Sequence, residues 1–228
     1  MHIVALFALI TYLGTFGLGV EWIRKSLLPP CAKLFLAIFG VRVRVLDSLP
    51  SLERPAIWIC NHRSTLDIFV ILALGLPRTR YFLSDFLQKI PAFFILGRIL
   101  GVFWTPDQKF PERRVQLFQK ASHVLRTTGD SVFLTPEGQR IDSRFVGKFN
   151  KGAFHLAMDL QRAIVPIYIE TPDDVSPGLS WNLRPGVVDV SFLDIIESPH
   201  YQEEILPDFV TQVRQVFLQR TAVLVSPG

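Results

Sequence analysis

The sequence predicts an α/β domain behind an N-terminal membrane-associated helical segment, with residues 1–50 forming the segment and residues 51–228 the α/β body. Three observations carry this reading. From Pro55 onward, short β-branched or aromatic runs alternate with longer amphipathic ones, as strands and helices do when they follow one another in an α/β chain. Ahead of that body, Ile3–Val20 contains no charged residue. Over all 228 residues, 49% are hydrophobic and only 19% charged, with a mean hydropathy of +0.32. That is too apolar for disorder and below the roughly 25% charge of an ordinary soluble domain.

The first element is a helix over Ile3–Val20, roughly 27 Å long at about 1.5 Å per residue, close to the thickness of a hydrocarbon core. Cleavage as a signal peptide is not expected. Only Met1 and His2 precede the run and Glu21-Trp22-Ile23-Arg24-Lys25 follows it, whereas a signal peptide has basic residues before and a small-residue site after. A second apolar stretch, Leu34–Val41, lies beyond a break expected at Pro29-Pro30 and is flanked by Lys33, Arg42 and Arg44. The pair either dips into one leaflet, or one spans while the other lies at the interface; an ordinary buried helix pair is the plainer alternative. Lys and Arg lie C-terminal to the first segment, which places the body on the cytoplasmic side of the inner membrane. Trp22 suits an interfacial anchor.

Within the body, strands are expected near 56–60, 80–84, 101–105, 131–135, 164–170 and 187–193. Helices are expected over about 65–74, 85–96, 111–126, 151–161 and 207–220, the last with Phe209, Val210, Val213, Phe217 and Leu218 on one face. The apolar stripe from Phe93 through Ile99, Leu100 and Phe103 to Trp104 reads as core, with the lining of an acyl tunnel or a face resting on lipid as the alternative. A net charge of 24 − 20 = +4 suits an anionic membrane or substrate without requiring nucleic acid. Cys31 and Cys60 form neither a CxxC pair nor a disulfide framework. His155 and Asp159 share a helix face but have no third or fourth metal ligand in the sequence, so a hydrogen bond is the expectation. There is no GxSxG elbow for a serine nucleophile.

Two constellations can do chemistry. Asn61-His62-Arg63-Ser64-Thr65-Leu66-Asp67 follows an expected strand and opens a helix, where reactive side chains of α/β sheets collect. An Asp accepting from one imidazole nitrogen leaves the other free to take a proton. Five residues of helix would put His62 and Asp67 about 140° apart, so the two meet only if His62 lies in the loop and Ser64 caps the helix. The same Ser64-x-x-Asp67 spacing also reads as a capping box, with Asp67 serving only a backbone N–H. The second constellation, Thr135-Pro136-Glu137-Gly138-Gln139-Arg140, can present Arg140 to a phosphate. There Glu137 either orients that arginine or binds an acceptor hydroxyl, while Lys148 and Lys151 add charge nearby. A surface turn with a solvated ion pair is the plainer alternative.

Taken in order over residues 55–170, NHRSTLD, TPEGQR, KFNKGAFHLA and Ile164-Val165-Pro166-Ile167 closely resemble the glycerolipid acyltransferase family of the 1-acyl-sn-glycerol-3-phosphate acyltransferase (PlsC) type, with its HxxxxD motif. The resemblance implies a glycerol-phosphate-acyltransferase-like mixed sheet flanked by helices and attached to a membrane. It implies His62 as general base and Asp67 as its orienter, with direct attack of the acceptor hydroxyl on an acyl thioester. Glu137, Gly138 and Arg140 match the block that holds the acceptor, Val165 and Pro166 the block near the acyl chain, and Asn61 is a possible oxyanion donor. The implied partners are acyl-ACP or acyl-CoA, a lysophospholipid and membrane lipids, without cofactor, metal or nucleic acid. After Gly101-Val102-Phe103-Trp104 the family has an arginine, and here Thr105-Pro106-Asp107 stands. Arg98 and Lys109 are the nearby substitutes, neither in register. The acceptor is therefore lysophosphatidate or another lysolipid such as a lyso-ornithine lipid, and a non-catalytic lipid-binding protein is the reading from another class.

Overall fold

The computed structural model describes residues 2–14, 19–140, 146–177 and 182–225. Residues 15–18 of the expected first apolar helix lie outside them. The chain divides into two compact units, Met1–Phe35 with Phe69–Phe133, and Leu36–Ile68 with Leu134–Gly228. This division differs from the boundary expected near residue 50, and packing gives the reason. Helix α1 (His2–Gly14) turns Ala5 and Ala8 inward, and they share a core with Ile23, Leu28 and the Ala92, Leu96, Ile99 and Leu100 side chains of α5 (Pro91–Leu100). The N-terminal segment is thus part of a core completed by residues far along the chain.

In the first unit, α2 (Val20–Trp22), a π-helical segment Ile23–Leu27 and α3 (Leu28–Ile38) follow one another without interruption. The Pro29-Pro30 pair does not break this helix. Proline has no N–H to donate to the preceding turn and its ring crowds that turn, and the widened segment, in which the Leu28 N–H bonds Ile23 O, precedes it. Farther along the unit come β3 (Thr79–Ser84), a 3₁₀ turn Asp85–Lys89 where a helix was expected to begin, α5, β4 (Phe103–Thr105) and α6 (Pro111–Thr128). Strand β5 (Ser131–Leu134) pairs with β3, and β3 with β4, all parallel.

The second unit carries the strand order β1-β7-β6-β2. β1 (Val41–Val45) runs parallel to β7 (Gly186–Phe192), and β2 (Ile57–Cys60) parallel to β6 (Ile164–Glu170), while β6 and β7 are antiparallel. The arrangement is a mixed α/β fold. β1 is absent from the sequence expectation, which extended the second apolar stretch to Val41. Its Val-Arg alternation is held by Arg44, whose Nε and Nη2 donate to the two Asp189 carboxylate oxygens at 2.7 and 2.6 Å. Helices α7 (Gly152–Leu160) and α8 (Leu206–Val225) close the core through Phe149, Phe154, Phe209 and Phe217, whose rings meet edge-on or stacked.

Candidate active site

The site is built where β2 ends. All four residues of β2 are buried, so the chain can expose a polar side chain only past Cys60. Asn61 is the first polar residue, and it is 2% exposed. Its Nδ2 donates to Ile169 O and its Oδ1 accepts from Ile169 N, both at 2.8 Å. Asn61 therefore locks the end of β2 to β6, with each end of its amide bonded to one peptide.

His62 comes next, outside the helix, and Asp67 is the first residue of α4 (Asp67–Leu74). His62 Nδ1 and Asp67 Oδ2 are 2.7 Å apart. An ionised carboxylate only accepts, so Nδ1 carries the proton and Nε2 is the free base. The same Oδ2 accepts from Arg63 N at 2.9 Å and Ser64 N at 3.0 Å. The two alternatives posed by the spacing are thus one atom: Asp67 caps the turn and holds the imidazole with a single oxygen. Asp67 is 3% exposed and the His62 side chain 25%, which leaves a reachable ring on a buried support.

The loop leaving β5 supplies the second wall. Gly138 adopts φ +69°, a conformation that costs any other residue about 1 kcal/mol or more, and its N–H closes a turn onto Thr135 O. Arg140 Nη1 donates to Thr65 Oγ1 at 2.6 Å, joining this loop to the histidine turn. Glu137 does not orient Arg140. It is 3% exposed and accepts from His62 N at 3.3 Å and Gly147 N at 3.2 Å, so it braces the backbone of the histidine turn. Arg214 of α8 holds residues 146 and 147 in turn, donating to Val146 O and Gly147 O.

Burial pushes the Glu137 carboxyl up from 4.5 to about 7, against the Gly147 and His62 N–H groups and the His62 charge, with Asp67 adding to the rise. Below the unfolded value both states hold the proton, and stability is full. Between there and the folded value the unfolded chain ionises first, so stability falls as pH rises through that window. The expected result is a urea midpoint lower at about pH 8 than at about pH 5, with the difference reduced in Glu137→Gln. An unchanged difference would remove Glu137 from this role.

Val165 and Pro166, 0% exposed in the first case and buried in the second, lie in mid-strand opposite Trp58 and Ile59. Pro166 is three residues, roughly 10 Å, behind the Ile169 peptide that Asn61 holds, so these residues build the wall beneath the site. Arg98 and Lys109 fall in the first unit, both exposed, with Lys109 Nζ 3.8 Å from Asp107. His155 Nδ1 meets the Tyr201 hydroxyl at 3.4 Å. Lys148 and Lys151 are exposed. Cys60 is fully buried, and burial, then the Asp67 and Glu137 charges, push its thiol well up, so it is no nucleophile.

A histidine held by a buried carboxylate at a strand end, with an arginine fixed to the same turn, can take a proton beside a group suited to an anion. The chain belongs to the Acyltransferase family, which it matches over residues 40–170. It is similar to the chloroplastic 1-acyl-sn-glycerol-3-phosphate acyltransferase of Arabidopsis thaliana, 31% identical over 152 residues, 64% of this chain and 42% of that protein. A second chloroplastic enzyme of the same name, from Brassica napus, is 30% identical over 177 residues, covering 75% of this chain and 49% of that one. The chain thus spans about half the length of these curated relatives or less. In fold it is similar to the crystal structure of the 1-acyl-sn-glycerophosphate (LPA) acyltransferase, PlsC, from Thermotoga maritima, with a TM-score of 0.73, 22% identity, and 99% and 96% of the two chains covered.

Proposed function

We propose that the protein is a membrane-associated O-acyltransferase that moves a fatty acyl group from acyl-ACP or acyl-CoA to a lysophospholipid hydroxyl, converting 1-acylglycerol 3-phosphate to phosphatidic acid. The observation that carries this is the 2.7 Å contact between His62 Nδ1 and Asp67 Oδ2. His62 Nε2 takes the hydroxyl proton as the oxygen attacks the thioester carbonyl. The tetrahedral intermediate then expels the thiolate, which the imidazolium protonates. No acyl-enzyme is needed, and the neighbouring candidates are poor nucleophiles: the Cys60 thiol is buried, and Ser64 Oγ is 1% exposed and already hydrogen-bonded. Arg140 meets the acceptor phosphate, on the support of Thr65.

The membrane half of the reading rests on α1, whose pattern is inverted. Alanines face inward, while Ile3, Leu6, Phe7, Ile10 and Leu13 are 50% to 84% exposed. Small residues inside and large apolar ones outside suit a helix against lipid. No helix among the described residues is long and apolar enough to cross a membrane. The substitution of Thr105-Pro106-Asp107 for the family's arginine favours a second reading with the same chemistry on another lysolipid.

One experiment tests these readings. Protein bound to anionic vesicles is given a labelled acyl thioester with lysophosphatidate, glycerol 3-phosphate or lyso-ornithine lipid, beside His62→Ala, and the vesicles are floated. Histidine-dependent product from lysophosphatidate is expected, with protein in the floated layer. Product from another acceptor alone would select the second reading. Lipid binding without product from any acceptor would make the protein a lipid binder, and protein left at the bottom would remove the membrane assignment.

A further inference from the structure

We propose that the loop after β6, residues 171–176, is a clamp on the histidine turn, with Asp173 and Ser176 as positioning residues for His62. The proposal rests on the acyltransferase reading above. Three of the four residues Asn61–Ser64 are tied to β6 or to the loop that follows it. Asn61 brackets the Ile169 peptide. Arg63 Nη2 pairs with Asp173 Oδ1 at 2.9 Å, and Ser64 Oγ meets Ser176 Oγ at 2.7 Å. His62 alone among them turns its side chain elsewhere, to Asp67. The residues on either side of the base are therefore referenced to one strand and its outgoing loop.

The loop is built to hold. Val175 N and Ser176 N both donate to Pro172 O, at 3.0 and 3.1 Å, and Arg184 N donates to Val175 O at 2.9 Å. Thr171, Val175 and Ser176 are 2%, 2% and 4% exposed. Ser64 Oγ also accepts from Leu66 N at 3.0 Å, so the Ser64–Ser176 bond continues into the first turn of α4. Water has little access to compete for that bond. The Arg63–Asp173 pair is different, since Asp173 is 47% exposed, and such a pair adds little to global stability. Asp173 can therefore be changed with small risk to folding.

Neither Asp67 nor Glu137 supplies this restraint. Asp67 fixes the backbone N–H groups of Arg63 and Ser64 from the helix side, and Glu137 fixes the His62 N–H. The position of the Ser64 side chain and of the Arg63 guanidinium is set by the loop. A proton transfer is sensitive to placement: a displacement of about 1 Å at the base can cost on the order of 10²-fold in rate.

The test uses the full chain in detergent, comparing Ser176→Ala, Ser176→Thr, Asp173→Asn and His62→Ala with wild type. Ser176→Ala is expected to lower kcat about tenfold with KM for lysophosphatidate within about twofold. Asp173→Asn should lower it less, and Ser176→Thr should recover most of the loss by restoring the hydroxyl. The low-field proton resonance of the His62 Nδ1–H, seen in wild type and missing in His62→Ala, should broaden or vanish in Ser176→Ala. If wild type turns over, His62→Ala does not, and Ser176→Ala and Asp173→Asn keep wild-type kcat and resonance, the clamp is overturned while the acyltransferase reading stands. A raised KM in Asp173→Asn with kcat unchanged would also overturn it, by making Arg63 an acceptor contact. If no protein transfers acyl groups, the functional reading fails, and the resonance alone decides the clamp.

Discussion

Asp67→Asn is expected to lower turnover by roughly 10²–10⁴-fold, approaching His62→Ala, because on the proposed mechanism it takes away the charge that supports the base. An asparagine has two different ends. Its oxygen can still accept from Arg63 N and Ser64 N, now served by Asp67 Oδ2. That oxygen also keeps His62 Nδ1, while the amide nitrogen takes the place of Oδ1, so what the variant loses is the negative charge beside the ring. Without that charge the imidazolium formed when His62 takes a proton is no longer stabilised, and the ring is a weaker base toward the acceptor. Folding should change little. Asp67→Ala differs in kind: it loses the base orienter and also strands two backbone donors at a buried turn, adding about 0.5–2 kcal/mol of destabilisation. Steady-state turnover and urea melts of the two variants beside His62→Ala separate these effects. Wild-type turnover in Asp67→Asn would show that the carboxylate is a helix cap and nothing more.

This division of labour explains which parts of the site were legible in the sequence. The His62–Asp67 spacing is unfavourable on a continuous helix, and the resolution lies in where the helix starts: α4 opens at Asp67 itself, so the five residues wrap back on one oxygen. A spacing argument could pose cap and orienter as rivals, but the shared atom appears only in three dimensions. Glu137 was singled out by its neighbours in the chain, yet its partners are N–H groups at positions 62 and 147. Backbone amides carry no residue type, so nothing in the sequence marks them. The loop at 171–176 was invisible for a related reason, since a serine and an aspartate after a strand have no motif.

In the fold, β6 is legible at its observed bounds because six of its seven residues are apolar, β-branched or aromatic and a polar turn follows Glu170. β1 was missed. Its five residues are short, half exposed and continuous in composition with the apolar helix before them, and its strand character comes from pairing with β7, some 145 residues away. The Pro29-Pro30 pair misled in the opposite sense. A helix-breaking signal was overridden by a π-helical segment, within a helix whose neighbouring residues share the core with α5.

Asp130→Ala is expected to cost about 3–5 kcal/mol of stability, the usual consequence of stranding buried cations. Asp130, 4% exposed, is a carboxylate on which three arginines of the first unit converge. Arg80 Nε donates to its Oδ2 at 2.7 Å, Arg24 Nη1 lies 3.6 Å from Oδ1, and Arg78 Nε lies 3.8 Å from the same oxygen. Arg78 is 63% exposed and contributes little, so the cost falls on the other two. Arg24 is 8% exposed, and its Nη2 also donates to Leu100 O at 2.8 Å. Arg80 reaches the carbonyl of Gly101, which adopts φ +68° and whose added Cβ would collide with that guanidinium. One aspartate thus ties the N-terminal helical segment to the end of α5 and to β3. Replacing Arg24 by Met should therefore cost less in the Asp130→Ala background than in wild type, since the cation it removes has already lost one of its two carboxylate partners, with Glu21 Oε1 remaining on Nη1. Equal costs in the two backgrounds, measured by urea melts of the four proteins, would mean that the residues act independently and that the Arg24–Asp130 pair does not help to hold the N-terminal segment.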